Sequence, residues 1–149
     1  MFAPNVRGSA GHGMAWQKRI YRDWAGIDLE DFAAAADYLR SQEWADGEAA
    51  RGYGQSYGGF AALSCLSRLP DLWAAGVSCY RPANLETLAR SMPQDWATVV
   101  QEMFGDVDAD AEDMRRRSPV IYADQITAPL LVLQRANDPA CQRMNPTRS

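Results

Sequence analysis

Gly54-Gln55-Ser56-Tyr57-Gly58-Gly59 carries the spacing Gly-x-Ser-x-Gly. In that pattern a serine sits on a sharp turn between a strand and a helix, with its hydroxyl lifted out of the sheet. Small residues on either side let the backbone fold back without a clash. A serine hydroxyl is a weak nucleophile on its own. It needs a base to take its proton and an acid to orient that base. The chain has one histidine, His12, and it lies upstream of the serine. The competing reading is a glycine-rich turn in which Ser56 only caps a helix.

The candidate acid is Asp138. In α/β-hydrolase chemistry the triad runs serine, acid, histidine along the chain. Asp138 comes soon after the apolar run Leu130 to Gln134, in Arg135-Ala136-Asn137-Asp138-Pro139. Catalytic groups gather at the carboxyl ends of parallel strands. An Asn-Asp-Pro turn that only shapes its loop explains the same residues equally well from spacing alone. Asp124 is a weaker rival, because it follows no predicted strand. His12 stands between glycines and in the wrong chain order for a base, so it reads as a solvated loop residue. The backbone N–H of Tyr57 is the candidate oxyanion donor. Trp16, Trp24 and Trp96 can line a pocket, although aromatic residues at such positions are commonly core.

The elements that must position these groups alternate in type. Met1 to Val6 can form the end of a strand, followed by a glycine-rich loop from Arg7 to Gly13. Asp28 reads as a helix cap, with Asp31 three residues on. Leu29, Phe32, Ala33, Ala36 and Leu39 recur at helical spacing. Ala49 to Tyr53 is the expected nucleophile strand and Tyr57 to Arg68 the helix behind it, closed by Pro70. Trp73 to Tyr80 reads as a buried strand. Asn84 is placed to cap a helix from Leu85 to Ser91. Trp96, Val99, Val100 and Met103 form a further stripe, ended by Gly105. Asp110 to Arg117 is a short polar helix before Pro119, and Leu130 to Gln134 a strand. Alternation of this kind predicts a mostly parallel α/β sheet.

Bulk properties narrow the function classes. The 149 residues suffice for one domain, and 15 basic residues against 19 acidic give a net charge of −4. Neither nucleic acid nor a membrane surface is an expected partner. Three scattered cysteines, Cys65, Cys79 and Cys141, form neither a disulfide framework nor a zinc pattern. They read as free thiols, and with no signal peptide the expected location is cytoplasmic.

Longer stretches resemble the catalytic domain of the prolyl oligopeptidase family, closest to its acylaminoacyl-peptidase-like members. The resemblance rests on Pro4-Asn5-Val6-Arg7-Gly8-Ser9, Asp23-Trp24-Ala25-Gly26, Asp28-Leu29-Glu30-Asp31, Gly54 to Phe60, Pro70 to Gly76, Arg117-Ser118-Pro119 and Ala136-Asn137-Asp138-Pro139. It implies a serine peptidase that cleaves short peptides, with Ser56 as nucleophile, Asp138 as acid and no metal or organic cofactor. It implies a partial α/β-hydrolase domain over residues 1–139, truncated at both ends, and a divergent tail over 140–149. The strand with the second oxyanion donor, the histidine loop and the β-propeller of full-length relatives are expected outside this chain. The tail Cys141-Gln142-Arg143-Met144 is what a shift of reading frame would give in place of the usual continuation. Such a fragment is expected to be inactive by itself. Alternatives are a carboxylesterase, a dienelactone-hydrolase-like enzyme or a non-catalytic remnant of the fold.

Overall fold

A computed structural model describes residues 1–134. Asp138 and Cys141, together with the 140–149 tail, lie outside the described residues. Three strands carry the architecture: β1 (Arg51–Gln55), β2 (Ala75–Cys79) and β3 (Leu130–Leu133). They lie in the order β1-β2-β3, and both pairings are parallel. The register sets Gln55 beside Cys79 and Cys79 beside Leu133, so all three strands end at one edge of the sheet.

Helices supply the crossovers that parallel strands require. A short α1 (Met14–Gln17) and the long α2 (Ile27–Arg40) precede the sheet. The helix α3 (Tyr57–Arg68) joins β1 to β2 and packs on both. Between β2 and β3 come α4 (Leu85–Ser91), α5 (Ala97–Met103) and α6 (Ala111–Arg116). A 3₁₀ segment, Pro119–Gln125, then packs along α3 before β3 begins. No helix among the described residues is long and apolar enough to cross a membrane.

Most predicted elements are found, and their ends move for physical reasons. The helix over Tyr57–Arg68 and the helix over Leu85–Ser91 have the expected bounds. Asn84 caps the latter, its Oδ1 accepting from the Thr87 N–H at 3.0 Å. The strand expected before Ser56 runs over Arg51–Gln55, later than expected, because pairing with Ala75 to Cys79 continues up to the turn itself. Gly105 takes φ 103° just after α5, a conformation that suits glycine.

Two expectations fail. Met1 to Val6 forms no strand. The Val6 carbonyl instead accepts from the Ser9 N–H and from the Trp16 indole, which closes a loop. Asp28 is not the cap of α2. The Ile27 N–H is satisfied by Asp23 Oδ2 at 2.9 Å, while Asp28 lies inside the first turn, wholly buried. Asp31 turns outward to Arg7, whose Nη2 approaches its carboxylate at 2.7 Å.

The core sits between α3 and the helices flanking it. Phe60, Leu66, Leu85 and Met114 are almost fully buried, and Trp24 joins them at 8% exposure. Trp24 meets Tyr57, Phe60 and Phe104 with ring centroids 4.8, 5.3 and 5.0 Å away. Edge contacts of this kind add to the area that each ring buries.

Burial raises the pKa of Asp28, and the bond from Tyr57 only partly opposes that shift. The other titratable groups around it are Tyr57 and Cys65 on α3 and Asp31 on its own helix. Burial, helped by the Asp28 charge, pushes Tyr57 and Cys65 upward, so both stay neutral near pH 7. A raised carboxyl pKa gives stability that is present below the unfolded value and lost as pH climbs through the folded value. Asp28→Asn cannot titrate. Its stability relative to the unsubstituted chain is expected to rise as pH climbs above the ordinary carboxylate range, by at most roughly 1.4 kcal/mol per pH unit. Urea denaturation at several pH values measures this difference, and a flat or falling one contradicts it.

Candidate active site

Ser56 follows the last residue of β1 and immediately precedes α3. Its backbone has φ 53° and ψ −119°, and its side chain is exposed. A positive φ is uncommon for a residue with a Cβ and signals a conformation held by its surroundings. Two backbone bonds hold it here. The Ser56 N–H donates to the Cys79 carbonyl at 3.1 Å, and the Phe60 N–H donates to the Ser56 carbonyl at 3.0 Å.

The glycines of the motif are not equivalent. A Cβ on Gly54 would lie 2.0 Å from the Gly58 carbonyl oxygen, so the strand and the helix can meet only without it. A Cβ on Gly59 would lie 2.6 Å from the Cys79 carbonyl oxygen, so the backbones of α3 and β2 meet here with no room for a side chain. A Cβ on Gly58 would meet nothing within 4 Å. Space thus requires two of these glycines and leaves the third free.

Tyr57 is the first residue of α3, so its N–H has no carbonyl four residues earlier in the helix. That N–H stands beside Ser56 at the positive end of the helix dipole, a suitable position for a developing oxyanion. Its side chain points back into the protein. The phenol donates to Asp28 Oδ2 at 2.7 Å.

Ser56 and Tyr57 open on a cavity of about 320 Å³. Its walls are mainly apolar: Trp24, Leu88, Met92, Trp96, Val99, Met103 and Phe104, with Tyr80 at the side of Ser56. Tyr80 follows β2 with φ 35°, and its hydroxyl donates to Gln55 Oε1. Most of these walls come from α4, α5 and the residues that flank them. The sequence marks their apolar stripe as a helix face but gives no sign that it turns toward the serine.

The other sequence candidates separate. Trp24 and Trp96 do line the cavity; Trp24 is also core, and Trp96 stands on the rim at 50% exposure. Trp16 does not belong to the cavity wall. It is spent on the N-terminal loop, bonded to the Val6 carbonyl with the His12 ring centroid 6.2 Å away. His12 is exposed and is not among the residues that line the cavity. Asp124 is exposed in the segment that leads into the start of β3. Its neighbour Tyr122 lies 5.2 Å from the Arg68 guanidinium at the far end of α3, away from Ser56. Asp138 lies beyond the described residues, five positions after the end of β3. Among the described residues no group of three or more His, Cys, Asp or Glu is arranged to hold a metal ion.

The glycine geometry gives a paired test. Gly54→Ala is expected to destabilise the chain by about 3 kcal/mol or more, because backbone must move. Gly58→Ala is expected to be neutral or stabilising by up to about 1 kcal/mol, since alanine favours the helix and meets no obstacle. Denaturant melts of the two variants check the contrast, and equal losses would contradict it.

The comparisons with known proteins agree with this geometry. Dipeptidyl aminopeptidase BIII of Pseudoxanthomonas mexicana is 37% identical over 140 residues, which is 91% of this chain and 20% of that protein. A puromycin-hydrolyzing peptidase of Mycobacterium tuberculosis superposes with a TM-score of 0.83 at 30% identity, over 91% of this chain and 21% of the other. An acylaminoacyl peptidase of Pyrococcus horikoshii gives 0.81 at 28% identity, over 92% and 22%. The chain thus spans about a fifth of the length of the relatives it matches. The fold is a partial α/β-hydrolase fold with a parallel sheet. The model of the prolyl oligopeptidase family matches residues 1–148, and the chain belongs to that family of serine peptidases.

Proposed function

We propose that this chain carries the nucleophile and the apolar subsite of a serine peptidase that hydrolyses short peptides. The observation that carries the reading is the strained Ser56, exposed at the carboxyl edge of a parallel sheet and opening on an apolar cavity. Ser56 Oγ attacks the scissile carbonyl carbon while an imidazole takes its proton. The carbonyl oxygen becomes an oxyanion beside the Tyr57 N–H. Collapse breaks the C–N bond, the imidazole returns the proton to the leaving amine, and an acyl ester remains on Ser56. Water then repeats the sequence and frees the acid.

Asp138 is the proposed acid that orients the imidazole. β3 runs parallel to β1 and ends in register with Gln55, so the chain leaves β3 at the edge where Ser56 sits. His12 is not the proposed base, given its place in the loop beside Trp16. The base is a histidine outside these 149 residues. The apolar cavity receives the side chain that precedes the scissile bond. No metal or organic cofactor enters this scheme.

Without the base, the Ser56 hydroxyl stays protonated near neutral pH and attacks poorly. Serine proteases that lose one triad member still retain roughly 10³–10⁴-fold catalysis over water, through the oxyanion hole and substrate binding. The 149-residue chain alone is expected to turn over an acylated peptide p-nitroanilide at or near the background rate, and to react with a fluorophosphonate far below one equivalent. A longer protein that includes this segment is expected to cleave the peptide and to lose at least about 10³-fold in kcat when Ser56 is changed to alanine. Turnover by the short chain that disappears in Ser56→Ala would show that nothing essential is missing. Ester cleavage without peptide cleavage by the long form would point instead to an esterase.

A further inference from the structure

Asp28 is wholly buried, and the group that reaches it from another element is the phenol of Tyr57, 29 residues along the chain. We propose that Asp28 is a positioning residue for the nucleophile turn, fixing through the Tyr57 phenol the residue whose backbone N–H faces the reacting carbonyl. The inference rests on Ser56 being the nucleophile.

Tyr57 links two parts of the site. Its backbone starts α3 directly after Ser56, and its ring is part of the cavity wall. The ring is held by its face and by its tip. Trp24 packs against it at 4.8 Å with the planes 77° apart, and Asp28 takes the hydroxyl hydrogen at 2.7 Å. With both ends set, the side chain has one rotamer, and the Cα that it hangs from is fixed relative to α2. The strained Ser56 conformation persists only where its surroundings over-determine it. The sheet supplies one restraint through the Cys79 carbonyl and the helix a second through the Phe60 N–H. Asp28 supplies a third from a separate element.

The electrostatics point the same way. Burial disfavours the Asp28 charge, and Oδ1 is buried without a hydrogen bond of normal geometry, although N–H groups at Ala25, Asp28 and Leu29 turn toward the carboxylate. An apolar side chain of similar volume would fill the site without that penalty. What the carboxylate adds is an acceptor for the phenol, stronger than a neutral one.

The test is amide hydrogen exchange of the full 149-residue chain, read by NMR after ¹⁵N labelling, in Asp28→Asn, Asp28→Leu and Tyr57→Phe. An asparagine oxygen still accepts from the phenol; leucine does not, and phenylalanine has no hydroxyl to give. Exchange at the Ser56 and Phe60 amides is expected to quicken about tenfold or more in Asp28→Leu and Tyr57→Phe, as the loss of a hydrogen bond to a charged group requires. Asp28→Asn is expected to stay within about threefold of the unsubstituted chain and to keep its Tyr57 amide shift. The amides of β2 and α4 should keep their rates in all three. Unchanged exchange at Ser56 and Phe60 in Tyr57→Phe overturns the proposal. So does faster exchange throughout the chain, or an Asp28→Asn variant as fast as Asp28→Leu. If Asp28→Leu does not fold, Tyr57→Phe decides. The readout needs no catalysis, so a chain without turnover leaves the result intact. Failure of Ser56 as the nucleophile would be seen instead in the kcat of Ser56→Ala in the longer protein.

Discussion

The closest constraint in the molecule is between two pieces of backbone. Gly54 and the Gly58 carbonyl approach so tightly that no side-chain carbon fits between them. This contact sets how near α3 comes to β1, and most of the site follows from it. At that distance Gly59 can rest on the Cys79 carbonyl, and the buried Ser78 hydroxyl can donate to the Gly59 carbonyl at 2.7 Å. At this end of the sheet, helix and strands are then joined by close backbone approach together with the Ser78 hydroxyl. The chain between them has one residue in which to reverse, and Ser56 takes the positive φ that the reversal demands. A residue under such strain needs packing that leaves it no alternative.

That packing comes from an aromatic cluster that serves both the core and the cavity. Trp24 touches Tyr57, Phe60 and Phe104, and so ties the approach to α2 to the start of α3 and the end of α5. The same indole is part of the cavity wall next to Ser56. Binding surface and hydrophobic core are therefore continuous. A change in the fill of one is felt in the shape of the other, because close-packed interiors transmit small displacements. Asp28 adds a carboxyl group to this cluster, and its placement against the Tyr57 hydroxyl gives a mainly apolar assembly a directional contact.

The sheet has two different faces. Gly52 and Gly54 look toward α3, which covers them through Ala62, Leu66 and its own backbone. On the other face Tyr53, Leu131 and Leu133 are exposed. Parallel sheets are ordinarily covered on both sides by their crossovers. The described residues provide that cover on the α3 side, where the Ser56 turn is built, and the chain accounts for about a fifth of the length of its relatives.

The sequence determined by itself whatever depends on local spacing. The Gly-x-Ser-x-Gly run located the strand-to-helix turn, the apolar stripe from Leu29 to Leu39 located α2, and Asn84 located the start of α4. Each is a short-range preference that needs no partner to be legible. The tertiary structure alone decided what distant segments do for one another. It moved Asp28 from helix cap to buried partner of Tyr57, because the Asp23 carboxylate already accepts from the first N–H of α2. It spent Trp16 on a loop and brought Trp24 and Trp96 to the cavity. It removed the strand expected at the N-terminus, where the Val6 carbonyl serves a turn. It also turned the stripe of α5 toward Ser56. Periodicity shows that a helix has an apolar face, but only the packed chain shows what that face covers.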